Sequence, residues 1–260
     1  MEKLSNDELA QRCRALEENL KRIRAEIAEA AVRSGRKPED ITLLAATKTV
    51  PVEVINHGIE LGLDHIGENR VQELCDKYDA LEREKTDVQF IGHLQTNKVK
   101  YLIGKVSMIQ SVDSMKLAQE ISRLSVREHQ TMDVLVEVNI GREENKSGVL
   151  PEQLSGLLEE ISSLPALRVR GLMAIPPADA SDVATQHYFS KMFEYFIDTK
   201  HKKLDNVSMD VLSMGMSADY VQAILAGANM VRVGSALFGA RNYTNPVSYT
   251  QLTLPTILRV

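Results

Sequence analysis

The chain has 260 residues, a formal net charge of −5, 43% hydrophobic residues and 26% charged ones. An acidic balance with no stretch of Lys and Arg interleaved with aromatics excludes a nucleic-acid footprint. No apolar run approaches the roughly 18 residues of a spanning helix, so no membrane partner is expected either. Two cysteines, Cys13 and Cys75, have no neighbouring partner, which fits a reducing cytosol rather than a disulfide scaffold. The six histidines form no HExxH or HxH pair, and no metal site is expected.

The first ten residues, MEKLSNDELA, have neither a basic leader nor an apolar core and do not read as a signal peptide. Ser5 and Glu8 stand at the spacing of a capping box. Leu9, Cys13, Leu16, Leu20, Ile23 and Ile27 then recur on one face of a long helix that ends near Ser34 and Gly35. A stripe of that length predicts cover by the body of the same protein rather than by a coiled-coil partner.

Eight β-like runs follow, separated by helix-like segments: ITLLAAT, LDHIG, VQFIG, SMIQSV, MDVLVEVNI, LRVRGLMAI, MDVLSMG and MVRVGSALF. Strands alternating with helices predict a parallel α/β architecture, and eight is the number that closes a single (β/α)8 TIM-type barrel. An open doubly wound sheet shares the local signature, but no GxGxxG follows the first strand. No linker divides residues 1–245, which are taken as one domain. The tail 246–260, PVSYTQLTLPTILRV, has no helical period and is expected to be non-native or disordered.

In such a barrel the chemistry gathers where strands end at the carboxyl face. The first run offers Lys48 just before Pro51, the second Glu68 and Asn69, the third His93 and Gln95, and the fifth Asn139. LSMGMSADY ends the seventh run with Ser217, read as an N-cap of a helix beginning near Ala218 and Asp219, where unpaired N–H groups suit a phosphate. In VRVGSALFG, Gly234 permits close backbone approach and Ser235 adds a hydroxyl. A lysine and a phosphate site at one barrel mouth suggest either a class I aldolase or pyridoxal 5′-phosphate (PLP) held on the lysine. Arg232 shares the strand face of Gly234 and can reach a pyridine nitrogen, which favours PLP.

LLAATKT, IGENRVQEL, IGHLQTNK, RGLMAIPP, LSMGMSADY and VRVGSALFGARNY, in this order, resemble the YggS/PROSC family of PLP homeostasis proteins. The resemblance implies a barrel similar to the amino-terminal domain of alanine racemase. It implies Lys48 as the Schiff-base lysine, Ser217, Gly234 and Ser235 as the phosphate cradle, Arg232 at the pyridine nitrogen, and Asn69 and Met173 beside the cofactor. Arg70 stands where many members carry tyrosine. The implied role is a cytoplasmic protein, monomeric or weakly dimeric, that buffers PLP or delivers it to apo PLP-dependent enzymes with little or no catalysis. A slow amino-acid racemase is the alternative. It would need a second-face base, which alanine racemase takes from a separate carboxyl-terminal domain, and the residues after the eighth run are expected to be too few to supply one. His93 is assigned no role, and Lys146 reads as a solvated loop charge.

Overall fold

Sixteen principal elements run in the order α1 (Asn6–Arg33), β1 (Thr42–Ala46), α2 (Val52–Glu60), β2 (His65–Glu68), α3 (Val71–Lys77), β3 (Asp87–Phe90), β4 (Met108–Val112), α4 (Met115–Arg127), β5 (Met132–Val138), α5 (Leu154–Ile161), β6 (Leu167–Ala174), α6 (Asp182–Lys200), β7 (Val207–Ser213), α7 (Tyr220–Leu225), β8 (Met230–Val233) and α8 (Ser235–Phe238). The computed structural model describes residues 5–239; the tail expectation for 246–260 lies outside the described residues. Each of the eight β-like runs overlaps a strand, and the strands close in sequence order as a parallel barrel. β8 pairs with β1 from Thr42↔Met230 to Ala45↔Val233, which excludes the open sheet. Strands covered on both faces are expected to read as near-continuous apolar runs, as these do.

At the start of α1, Glu8 N–H donates to Ser5 Oγ at 3.3 Å and Ser5 N–H donates to Glu8 Oε2 at 2.9 Å, so the capping box forms. The helix buries Leu16, Leu20, Ile23 and Ile27. Burying each contributes about 1.5–3 kcal/mol. The cover is the barrel body itself. Asn19 Nδ2 donates to Leu237 O, Arg24 donates to Leu61 O and Gly62 O, and Tyr220 of α7 donates its hydroxyl to Glu26. Ser34 caps the end, and Gly35 adopts φ 74°, a left-handed conformation that favours glycine.

The β3–β4 connection differs from the alternating pattern. It holds a 3₁₀ helix, Thr96–Tyr101, in place of an α-helix. Val99 and Leu102 are its buried anchors, a footprint of about one turn that cannot hold a longer amphipathic helix against the barrel.

Most of the core lies between barrel and helices, with two smaller apolar clusters centred on Leu44, Ala46, Ile91 and Met230, and on Met108, Leu135 and Met173. Polar side chains are buried alongside them. Gln110 of β4 meets Ser213 of β7, an approach from opposite sides of the ring that is possible only through the interior.

Candidate functional site at the carboxyl end of the barrel

Lys48 stands on the turn that leaves β1. Val50 N–H donates to Thr47 O at 3.0 Å, and Thr49 adopts φ 63°, a left-handed conformation uncommon for a β-branched residue. Conformations of this kind cost of order 1–3 kcal/mol and persist only where neighbours over-determine them. Both flanks of Lys48 are held. Thr49 N–H donates to Glu73 Oε2 at 2.8 Å, and the buried Lys77 Nζ donates to Thr47 O at 3.0 Å and to Glu68 Oε1 at 2.7 Å. Thr47 Oγ1 donates to the same Glu68 oxygen at 2.8 Å. Glu68 is therefore fully buried in the scaffold under the turn, and the neighbouring Asn69 carries the strand-end polarity forward.

A cavity of about 320 Å³ opens beside this turn, within the usual range for small-molecule sites. Lys48, Asn69, Ser217, Arg232, Gly234 and Ser235 all line it. Met173 does not. Its side chain is 1% exposed and packs with Met108 and Leu135, while Ile175 reaches the cavity wall. Arg12 of α1 also lines the cavity; it lies just off the helix's apolar stripe and carries no sequence signal of its own.

Ser217 is not the cap of α7. Asp219 holds that position, and its Oδ1 accepts from Met216 N–H at 2.6 Å. The Ser217 hydroxyl turns instead to the start of α8, where it accepts from Gly234 N–H and Ala236 N–H, both at 3.1 Å. The N-cap of α8 is Gly234, which has no side chain to accept from that helix's orphan N–H groups, and Ser217 supplies the missing acceptor from the neighbouring loop. The loops after β7 and β8 are thereby joined. A Cβ on Gly234 would meet Ala46 O at 3.2 Å, so glycine keeps this wall close to β1.

Arg232 is 4% exposed and makes no ion pair within 4 Å among the described residues. Burial lowers its pKa to about 10, opposed by the charges of Glu137 and Asp219, so it remains cationic at neutral pH. Its Nη1 donates to Ser213 Oγ at 2.6 Å and its Nη2 to Ala174 O at 3.0 Å. Below it a chain continues through the barrel. Ser213 Oγ donates to Gln110 Oε1 at 2.7 Å, Gln110 Nε2 to Gln89 Oε1 at 2.6 Å, and Gln89 Nε2 to Asp87 Oδ2 at 2.7 Å. Every link points its donor away from the mouth, so Arg232 is oriented from beneath. Ser213→Ala is expected to destabilise the protein by about 1.5–3 kcal/mol, the usual worth of a hydrogen bond to a charged group. The denaturant midpoint measures this, and an unchanged midpoint would show that water replaces the hydroxyl.

A second hollow of about 180 Å³ adjoins the first, sharing Asn69, Ile91 and Ile175 with it and adding His93, Glu137, Asn139, Lys146 and Ser147. Asn139 is spent on its own loop, donating to Glu143 O and accepting from Glu143 N–H. His93 Nδ1 pairs with Ser147 Oγ at 2.8 Å. Gln95 caps the 3₁₀ helix and lines neither hollow. Arg70 is largely exposed beside Glu73.

The sequence profile described as "Alanine racemase, N-terminal domain" matches residues 12–242. The chain is 46% identical to the pyridoxal phosphate homeostasis protein of Aquifex aeolicus, over 87% of this chain and 98% of that protein. It superposes on Synechococcus elongatus PipY, solved with PLP bound, with a TM-score of 0.72 at 31% identity, covering 82% of this chain and all of that one. Alanine racemase from Corynebacterium glutamicum shares the fold at 14% identity, with a TM-score of 0.67 over 88% of this chain and 62% of the racemase. The chain therefore belongs to the family of pyridoxal phosphate homeostasis proteins, built on the barrel of the alanine racemase N-terminal domain.

Proposed function

We propose that this protein binds PLP in the first cavity, with Lys48 as its covalent anchor, and buffers the cofactor or delivers it to apo PLP-dependent enzymes. The observation that carries the reading is the convergence of Lys48, Arg232, Ser217, Gly234 and Ser235 on one cavity. Its residues fit the group. Ser217, Ser235 and the backbone at Gly234 would hold the phosphate and Arg232 the ring nitrogen, with Asn69 lining the cavity beside them. When bound, PLP supplies an aldehyde that can join the lysine amine and a ring that can withdraw electrons. The PLP carried by PipY and the name of the Aquifex relative support the same assignment.

Arg232 favours holding over catalysis. A guanidinium has donors only and stays charged here, so a ring nitrogen facing it must accept rather than carry a proton. A neutral pyridine is a weaker electron sink than a pyridinium. PLP-loaded protein mixed with an apo PLP enzyme is expected to restore that enzyme's activity. Alone, it is expected to exchange amino-acid Cα protons in heavy water no faster than free PLP. Rapid exchange that disappears in Lys48→Ala would overturn the reading and establish a racemase-type enzyme.

A further inference from the structure

Glu137 lies near the end of β5 among Val134, Leu135, Val136 and Val138, where an apolar residue would be expected. It is 7% exposed; its backbone carbonyl accepts from Val149 N–H at 2.8 Å, while its carboxylate makes no hydrogen bond or ion pair with any described residue. It lines the second hollow. At the boundary with the first cavity stands another unsatisfied acceptor, the buried Asn69 Oδ1. The buried Asn69 oxygen has no donor among the described residues and the Glu137 carboxylate lines the hollow beside it, so a ligand rich in N–H groups would satisfy both. The outer rim has the opposite character. Lys146 is exposed there, and His93, with Nδ1 engaged by Ser147, has Nε2 to offer.

We propose that the second hollow is a subsite for a small α-amino acid, its ammonium taken by Glu137 and Asn69 Oδ1 and its carboxylate facing Lys146 and His93. The hollow, of about 180 Å³, has room for a ligand of this class. Because the two hollows share Asn69, Ile91 and Ile175, the bound amine sits beside the cavity that Lys48 lines. Amino-acid binding at this hollow does not rest on the proposed function.

The electrostatic surroundings are consistent with this occupant. Burial and the nearby charge of Asp113 raise the Glu137 pKa to about 7, against the opposing charges of Arg232 and Lys146. Asp113 itself lies 3.9 Å from His93 Nδ1. A carboxyl group with a raised pKa gains its negative charge as pH rises, so ammonium binding should strengthen between about pH 6 and pH 8.

The test is calorimetric titration of L-alanine into the full-length protein freed of PLP, with methylamine and propionate as half-ligands. L-Alanine is expected to bind more tightly than either, and Glu137→Gln to weaken it roughly tenfold or more, as for loss of a charged hydrogen-bond partner. Lys146→Ala, at the exposed rim, should weaken L-alanine and propionate while leaving methylamine unchanged, and it keeps the test decisive if Glu137→Gln fails to fold. L-Alanine binding no tighter than that of the half-ligands, or indifferent to Lys146→Ala, overturns the proposal. Lys48→Ala separates the two readings: it should abolish PLP anchoring and leave alanine binding intact, whereas loss of alanine binding would overturn a distinct subsite.

Discussion

Lys48→Ala is expected to remove the visible absorbance of lysine-bound PLP completely, and borohydride should no longer fix PLP to the chain. Folding should survive the change. The Lys48 side chain is only half-buried and projects from a turn whose fixed points are its neighbours, Thr47 O on Lys77 and Thr49 N–H on Glu73. Alanine leaves both of these bonds in place, so the turn keeps its anchors. The check combines absorbance, borohydride reduction with peptide mapping, and thermal unfolding. Recovery of the reduced label on another lysine of the wild-type protein would refute the anchor assignment.

Lys77→Met should produce the largest loss of stability. Lys77 and Glu68 are 6% and 1% exposed at their side chains and meet at 2.7 Å. Removing the lysine strands the carboxylate in a dry environment, with Thr47 Oγ1 as its one remaining hydrogen-bond donor and Oε2 already without a partner. Breaking a buried pair from one side costs about 3–5 kcal/mol. For a chain of this size that lowers the thermal midpoint by roughly 6–20 °C. Thr47 O loses its donor in the same step, so the strained turn at Thr49 relaxes and PLP retention should fall as well. Lys77→Met combined with Glu68→Leu should recover much of the stability, because an apolar pair of similar volume leaves no uncompensated charge. A single variant as stable as wild type would show that Glu68 takes up a proton or that water reaches it.

The eight strands were legible because a parallel barrel covers both faces of each strand and so demands apolar runs, which stand out in a linear reading. The capping box of α1 and its apolar stripe were legible for the same reason, as local patterns with a fixed period. The β3–β4 connection was not, since two turns of 3₁₀ helix and a short α-helix share the same few apolar positions. Ser217 was read as a cap for the helix next to it, yet its hydroxyl serves α8 instead. Nothing in SMGMSADY distinguishes the two, because the choice depends on which N–H groups lie within reach in space.

Local chemistry along the chain determined that Lys48, Asn69, Arg232 and the Ser217, Gly234 and Ser235 loops stand at strand ends. Those residue types were enough to suggest an anchor, an anion site and a cation on one mouth. Tertiary structure alone decided what supports them. Gln89, Gln110 and Ser213 come from β3, β4 and β7 and read singly as ordinary polar strand residues, but barrel closure threads them into one hydrogen-bonded chain beneath Arg232. Met173, assigned to the cofactor's side, lies with Met108 and Leu135, while Glu137, unremarked in VLVEVNI, faces the second hollow. The physical reason is that period-two alternation tells which face of a strand a residue occupies but not its depth along the barrel axis. That depth follows from the stagger between strands, which is set only when β8 closes on β1.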